Sequence, residues 1–258
     1  MKKESFISKT EEILMPGYNQ KCLCSDEFYC VETKSKQKCI LYFGMNPSGD
    51  ESSVIAEKNA VYLYYLPNIS IKNRTFPRYY KPIFNTISKI TNDNAKWGWC
   101  NYDSNYIESM ISNDKQLTPY ADSIKSFYSE YKEKEYSVYI GEFFYYHEKS
   151  QSKFLKYVNM TKINKYIIEM LEMHIDRIVN LDNTLSAIII NNTTASKLLC
   201  DAFNIDYNHS FYDYKYHDHT YRVFFGSMLS GLRAMDDFSK HRLIKDIKDF
   251  LSSNNSCE

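Results

Sequence analysis

Apolar positions along this chain of 258 residues follow two patterns. The first is a set of short unbroken runs: CILYFGM (39–45), YSVYIGEFF (136–144), LSAIIIN (185–191) and YRVFFGS (221–227). Runs of this length, rich in β-branched and aromatic residues and lacking polar alternation, predict strands buried on both faces, as in a parallel sheet. KWGWCNY (96–102) is a fifth candidate. The second pattern recurs at three- and four-residue steps. Across 152–179, Phe154, Leu155, Val158, Tyr166, Ile167, Met170, Leu171, His174, Ile175 and Ile178 mark a helical face. TTASKLLCDAF (193–203) predicts a helix with Thr193 as its N-cap. DDFSKHRLIKDIKDFL (236–251) predicts another, capped by Asp236, with Phe238, Leu243, Ile247, Phe250 and Leu251 as the apolar face. Strands alternating with helices predict an α/β protein, a three-layer α/β/α sandwich around a mostly parallel sheet of about four to five strands. No repeat or low-complexity linker divides the chain, so one domain over 1–258 is expected, with 1–37 as an N-terminal extension.

Composition narrows the function classes. Lys and Arg number 32, as do Asp and Glu, giving zero formal charge. That balance argues against broad wrapping of a polyanion while leaving room for a local basic groove. Only 7 Gly and 6 Pro argue against disorder. The 24 Tyr, with abundant Lys, Asn and Ile, fit an A+T-rich coding bias as well as a function, so any single Tyr carries little weight. The N-terminal MKKESFISKTEEILMPGYNQ has no apolar run of signal-peptide length, and no apolar segment of about 18 residues occurs, so a soluble cytoplasmic protein without membrane partners is expected. Seven cysteines, an odd number, fit reduced thiols better than a disulfide framework. Cys22, Cys24, Cys30 and Cys39 crowd together, but their spacing lacks the C-x2-C pairs of zinc and iron–sulfur sites. No Walker loop, G-x-G-x-x-G or H-E-x-x-H occurs, and neither cofactor nor metal is expected.

Candidate chemistry begins at ILYFGMNPSGD (40–50), where a strand-like run meets Gly-Met-Asn-Pro-Ser-Gly. Asn46 there either closes a turn or is aimed into a pocket. Ligands of open α/β sheets bind beyond the carboxyl ends of the strands. Asn46 and Ser227 each follow a predicted strand, which makes the two turns candidates for one site. YHDHTY (216–221) sets His217 and His219 on one face of a strand with Asp218 opposite; with no third ligand evident, a solvated hairpin is expected rather than a metal site.

GMNPSG (44–49) after its strand resembles the first motif of the uracil-DNA glycosylase superfamily, closest to the Asn-bearing single-strand-selective and mismatch-specific branches. FGSMLS (225–230) is similar to the second motif, and AIIINNTTASKLL (187–199) to the strand, turn and helix between them. The likeness covers about 38–250. Phe225 stands where the family has His, and Gly226 where it has Pro, which implies a weaker or differently built enzyme.

The resemblance implies a monofunctional DNA glycosylase that flips a nucleotide out of single- or double-stranded DNA and hydrolyses its N-glycosidic bond. Asn46 would hold the attacking water, with the backbone around Gly44 and Met45 facing the base. Base reading falls to Asn101 or, as first choice, Glu142; an ionised Glu142 only accepts hydrogen bonds and would favour a cytosine-type amino group over uracil. Its alternative is a solvent-facing residue. In TFPRYYKP (75–82), Phe76 and Tyr79 would stack on the base and Arg78 would meet phosphate, core packing being the alternative for the aromatics. Ser48, Ser227 and Ser230 would touch the DNA backbone, Leu229 would be a wedge or a buried anchor, and Arg233 would add charge or replace the missing His. No lysine is placed as a Schiff-base nucleophile, so lyase activity is not expected. Phe225, zero net charge and Glu142 leave open an alternative: a catalytically inactive glycosylase-like module binding nucleic acid, nucleotide or protein. A preference for phage-type hypermodified bases would imply a defence role.

Overall fold

The four unbroken apolar runs are strands of one sheet: β1 (Lys38–Gly44), β2 (Tyr136–Glu142), β3 (Thr184–Ile190) and β5 (His219–Phe225). A computed structural model describes residues 5–24, 38–54, 80–91, 136–180, 184–228 and 235–255, with positions 112, 118, 121 and 122. These four strands are mutually parallel, and β4 (Phe211–Tyr216) joins the edge antiparallel to β5, giving the order β2-β1-β3-β5-β4. Burial explains the pattern. Cys39 to Phe43 are each 0% exposed, so none of these five positions is free to be polar. β4 alternates exposed and half-buried residues, as an edge strand with one wet face does. That alternation leaves β4 without a continuous apolar run, and KWGWCNY (96–102) lies outside the described residues.

Helices cover both faces. α1 (Phe6–Ile13) and α4 (Thr193–Phe203) pack with α3 (Ile163–Val179), while α2 (Tyr80–Thr91) packs with α5 (Asp237–Asn255). Register sets Phe43, Ile190 and Phe225 in one row. His174 of α3 meets Phe43 edge-on at 4.7 Å, whereas Phe250 of α5 meets Phe224 at 5.7 Å. Adjacent strand residues point to opposite faces, so α3 and α5 lie on opposite sides of the sheet. The expected α/β layering is therefore present.

Details differ from the sequence reading. The 152–179 segment is not one helix: a turn at Gln151–Phe154 and two 3-10 turns precede α3. Val158 bridges to Leu14 and Asn159 caps the second 3-10 turn, so backbone pairing outside the segment interrupts the helix. Asn192, not Thr193, caps α4, its Oδ1 accepting from the N–H groups of Thr194 and Ala195 at 2.9 and 3.1 Å. Asp236 does cap α5, accepting from Ser239 N at 2.9 Å, and Leu243, Ile247 and Leu251 are buried, but Phe238 is 77% exposed. His217 and Asp218 form the β4–β5 turn, with His217 at φ 50°, so the histidine pair is a hairpin turn and its flank. The described part of the expected N-terminal extension is built into the fold: Thr10 Oγ1 accepts from Tyr145 N at 3.0 Å, and Cys24 N donates to Tyr145 O. Cys22, Cys24, Cys39 and Cys200 are buried thiols, and no group of three metal-binding side chains gathers among the described residues; Cys30 lies outside them. Among the described residues no helix is long and apolar enough to cross a membrane.

Candidate functional site

β1 and β2 run in register to their ends, pairing Gly44 with Glu142. Beyond that pair the two chains stay together: Phe143 N donates to Gly44 O at 3.3 Å, Phe144 N to Met45 O at 2.9 Å and Glu148 N to Pro47 O at 3.2 Å. The side chain of Asn46 fastens the join. Its Nδ2 donates to the carbonyls of Pro47, Tyr146 and Glu148 at 3.1, 3.2 and 3.1 Å. Those contacts fix which end of the amide is which, and Oδ1, buried, accepts from nothing among the described residues. The turn and pocket readings of Asn46 thus meet in one side chain, its nitrogen holding the turn and its oxygen left over.

Glu142 is not solvent-facing; it is 3% exposed, and its Oε2 is buried with no hydrogen-bond partner among the described residues. Gly44 makes the room. A Cβ built there would stand 2.2 Å from Oε2 and 2.7 Å from Oε1, so any other residue would displace the carboxyl. Burial alone drives the Glu142 pKa up to about 8. This corrects the expectation of an ionised, accept-only carboxylate: at neutral pH the group keeps its proton and can donate.

The other edges line up behind this pair. Asn191 follows β3, its backbone N–H donating to Phe43 O at 2.7 Å. Gly226 follows β5, donating to Ile190 O at 2.9 Å and accepting from Ser196 Oγ of α4 at 2.8 Å. Ser227 comes next and is half-buried. From β1 to β5 is two strand spacings, about 10 Å. Asn46, Glu142 and Ser227 therefore share the carboxyl edge of the parallel strands. Met45 is 1% exposed, so its side chain belongs to the core, and Ser48 is exposed on the turn. Phe76, Arg78, Tyr79, Asn101, Leu229, Ser230 and Arg233 lie outside the described residues. Met235 N donates to Met228 O at 2.7 Å, which brings the chain on either side of 229–234 together.

Two histidines stand near the site that the sequence does not offer as site residues, His174 reading there as part of a helical face. His147, 4% exposed, has Nδ1 3.4 Å from Ser48 O; a Cβ on Gly49 would come within 2.8 Å of that nitrogen. His174 hydrogen-bonds the Glu142 backbone, stacks on Phe6 at 4.1 Å, and is held neutral by burial, its pKa pushed down to about 3. Neither lies in a motif; His147 follows a run of four aromatics, and the helical period of α3 explains His174 as core. Phe225 lines a cavity of about 580 Å³ with Lys197, His209, Ser227, Arg242 and Asp246; Asn46 and Glu142 do not line it. Compared with protein-family models and with curated proteins, the chain matches none.

Proposed function

We propose that this protein is a monofunctional DNA glycosylase that hydrolyses the N-glycosidic bond of uracil or a modified, cytosine-type pyrimidine in an everted nucleotide. One arrangement carries the proposal: a buried amide oxygen fixed by its own nitrogen's hydrogen bonds and a buried carboxyl, at the carboxyl ends of two paired parallel strands. As the bond from C1′ to the ring nitrogen breaks, positive charge grows on the sugar and negative charge on the base. Asn46 Oδ1 accepts a hydrogen bond from water and so orients it toward C1′. Being an amide it does not take the proton strongly, which makes the chemistry slow and dependent on positioning. Glu142 faces the base, and Ser227 donates to a backbone phosphate. Phe225 supplies no donor to the leaving base.

The test is incubation with single- and double-stranded oligonucleotides carrying one uracil, cytosine, 5-substituted cytosine or hypoxanthine, followed by alkali. Strand breaks at the chosen base that fall by about 100-fold in Asn46→Ala support the enzyme. Tight binding with no abasic product across the set rejects it in favour of a non-catalytic binder.

A further inference from the structure

Oδ1 of Asn46 and Oε2 of Glu142 are two buried polar atoms without partners among the described residues, at the ends of adjacent strands. A buried polar atom without a partner is unfavourable unless something else supplies one. Asn46 Oδ1 only accepts. Among the described residues no counter-charge acts on Glu142: the titratable groups near it are Tyr42 on the same face of β1, His174 reaching its backbone from α3 with Arg177 beyond it, and Tyr145 past the end of β2, bonded to His174 Nε2 at 3.4 Å. Tyr42, Tyr145 and His174 are neutral at neutral pH, Arg177 acts on His174 rather than on Glu142, and among the described residues burial is what acts on the carboxyl. An ionised Glu142 would stand buried with neither a donor on Oε2 nor a positive neighbour among the described residues, so the proton stays. A protonated carboxyl sets one O–H donor beside one C=O acceptor, the same pair that a primary amide displays.

Building on the glycosylase function above, we propose that Glu142 determines specificity as a neutral acid, closing a two-bond ring with the Watson–Crick edge of an everted pyrimidine. Cytosine-type bases pair by N4–H to the carboxyl C=O and carboxyl O–H to N3. Uracil-type bases pair by N3–H to C=O and O–H to O4. Turning the acid about its bond exchanges the two patterns, so both classes are admitted. Ionisation leaves each base one contact and sets a lone pair (N3 of cytosine, O4 of uracil) against a carboxylate oxygen. Recognition of both classes is then lost together. Substituents at C5 lie off this edge and are not discriminated by Glu142.

The experiment measures single-turnover excision of uracil and of 5-hydroxymethylcytosine from oligonucleotides between about pH 6 and about pH 9.5, for the wild type and Glu142→Gln. Saturation-transfer NMR with the free bases uracil and cytosine is run alongside. Expected for the wild type is a fall of about tenfold per pH unit above pH 8 for both bases. In Glu142→Gln, which has no proton to lose, that slope disappears whatever its absolute rate. A flat wild-type profile, excision of one class at every pH, or an unchanged slope in Glu142→Gln overturns the proposal. If neither oligonucleotide yields an abasic site, the glycosylase function fails; NMR then decides the role of Glu142. Binding of both free bases that vanishes above pH 8 only in the wild type upholds it, and no binding of either base overturns it.

Discussion

Asn46 combines a structural duty and a chemical one, and substitution separates them. Removing its Nδ2 takes a donor from the carbonyls of Pro47, Tyr146 and Glu148, of which Pro47 O keeps the bond from Glu148 N. Asn46→Ala should destabilise the fold by about 1–3 kcal/mol, and Asn46→Asp by more, because it sets a carboxylate oxygen against three carbonyl oxygens. Urea denaturation of the two variants gives the order; Asn46→Asp as stable as the wild type would contradict the clamp. Gly44 poses the opposite case. A methyl there overlaps the end of a flexible side chain rather than backbone. Gly44→Ala is therefore expected to displace the Glu142 carboxyl with a stability change under about 2 kcal/mol, while excision falls much further. Equal losses in melting temperature and rate would show that Gly44 serves packing alone.

At the level of elements, α4 depends on one cap. Asn192→Ala removes both side-chain bonds at its start and should cost about 1 kcal/mol, whereas Thr193→Ala should be close to neutral. Thermal melts of the pair distinguish the caps, and a larger loss in Thr193→Ala would reverse the assignment. The two residues also show what the sequence could reveal. Asn192 and Thr193 are both good caps, and only backbone geometry selects between them. β1, β2, β3 and β5 were legible because their inner stretches are buried on both faces, which leaves each a run of apolar residues. β4 was not, because FYDYKY interleaves Asp213 and Lys215 with tyrosines and its burial depends on pairing with β5. The turn after β1 and its asparagine could be read directly. The contact between Gly44 and Glu142 could not, since it exists only through the register of strands almost a hundred residues apart.

Over the whole molecule, two buried groups titrate in opposite senses. Between pH 3 and 6.5 the unfolded state protonates His174 and the folded state does not, so stability falls as the solution is acidified through that window. Between pH 4.5 and 8 the folded state keeps a proton on Glu142 that the unfolded state has lost, so stability falls as pH rises. Where the windows overlap, from 4.5 to 6.5, the two slopes oppose each other. The combined contribution is a plateau flanked by declines of about 1.4 kcal/mol per pH unit. Urea midpoints measured across pH should show that shape, with Glu142→Gln removing the alkaline decline; an alkaline limb surviving in that variant would assign it elsewhere. Cys39 gives the same molecule a clock. Its thiol sits in β1, an interior strand of the sheet, 0% exposed, with its ionisation pushed up to about 12 by burial. An alkylating reagent reaches it only when β1 parts from its neighbours. The speed with which mass spectrometry finds that one sulfur tagged, under native conditions, reports how often the central sheet opens, with no label engineered into the chain.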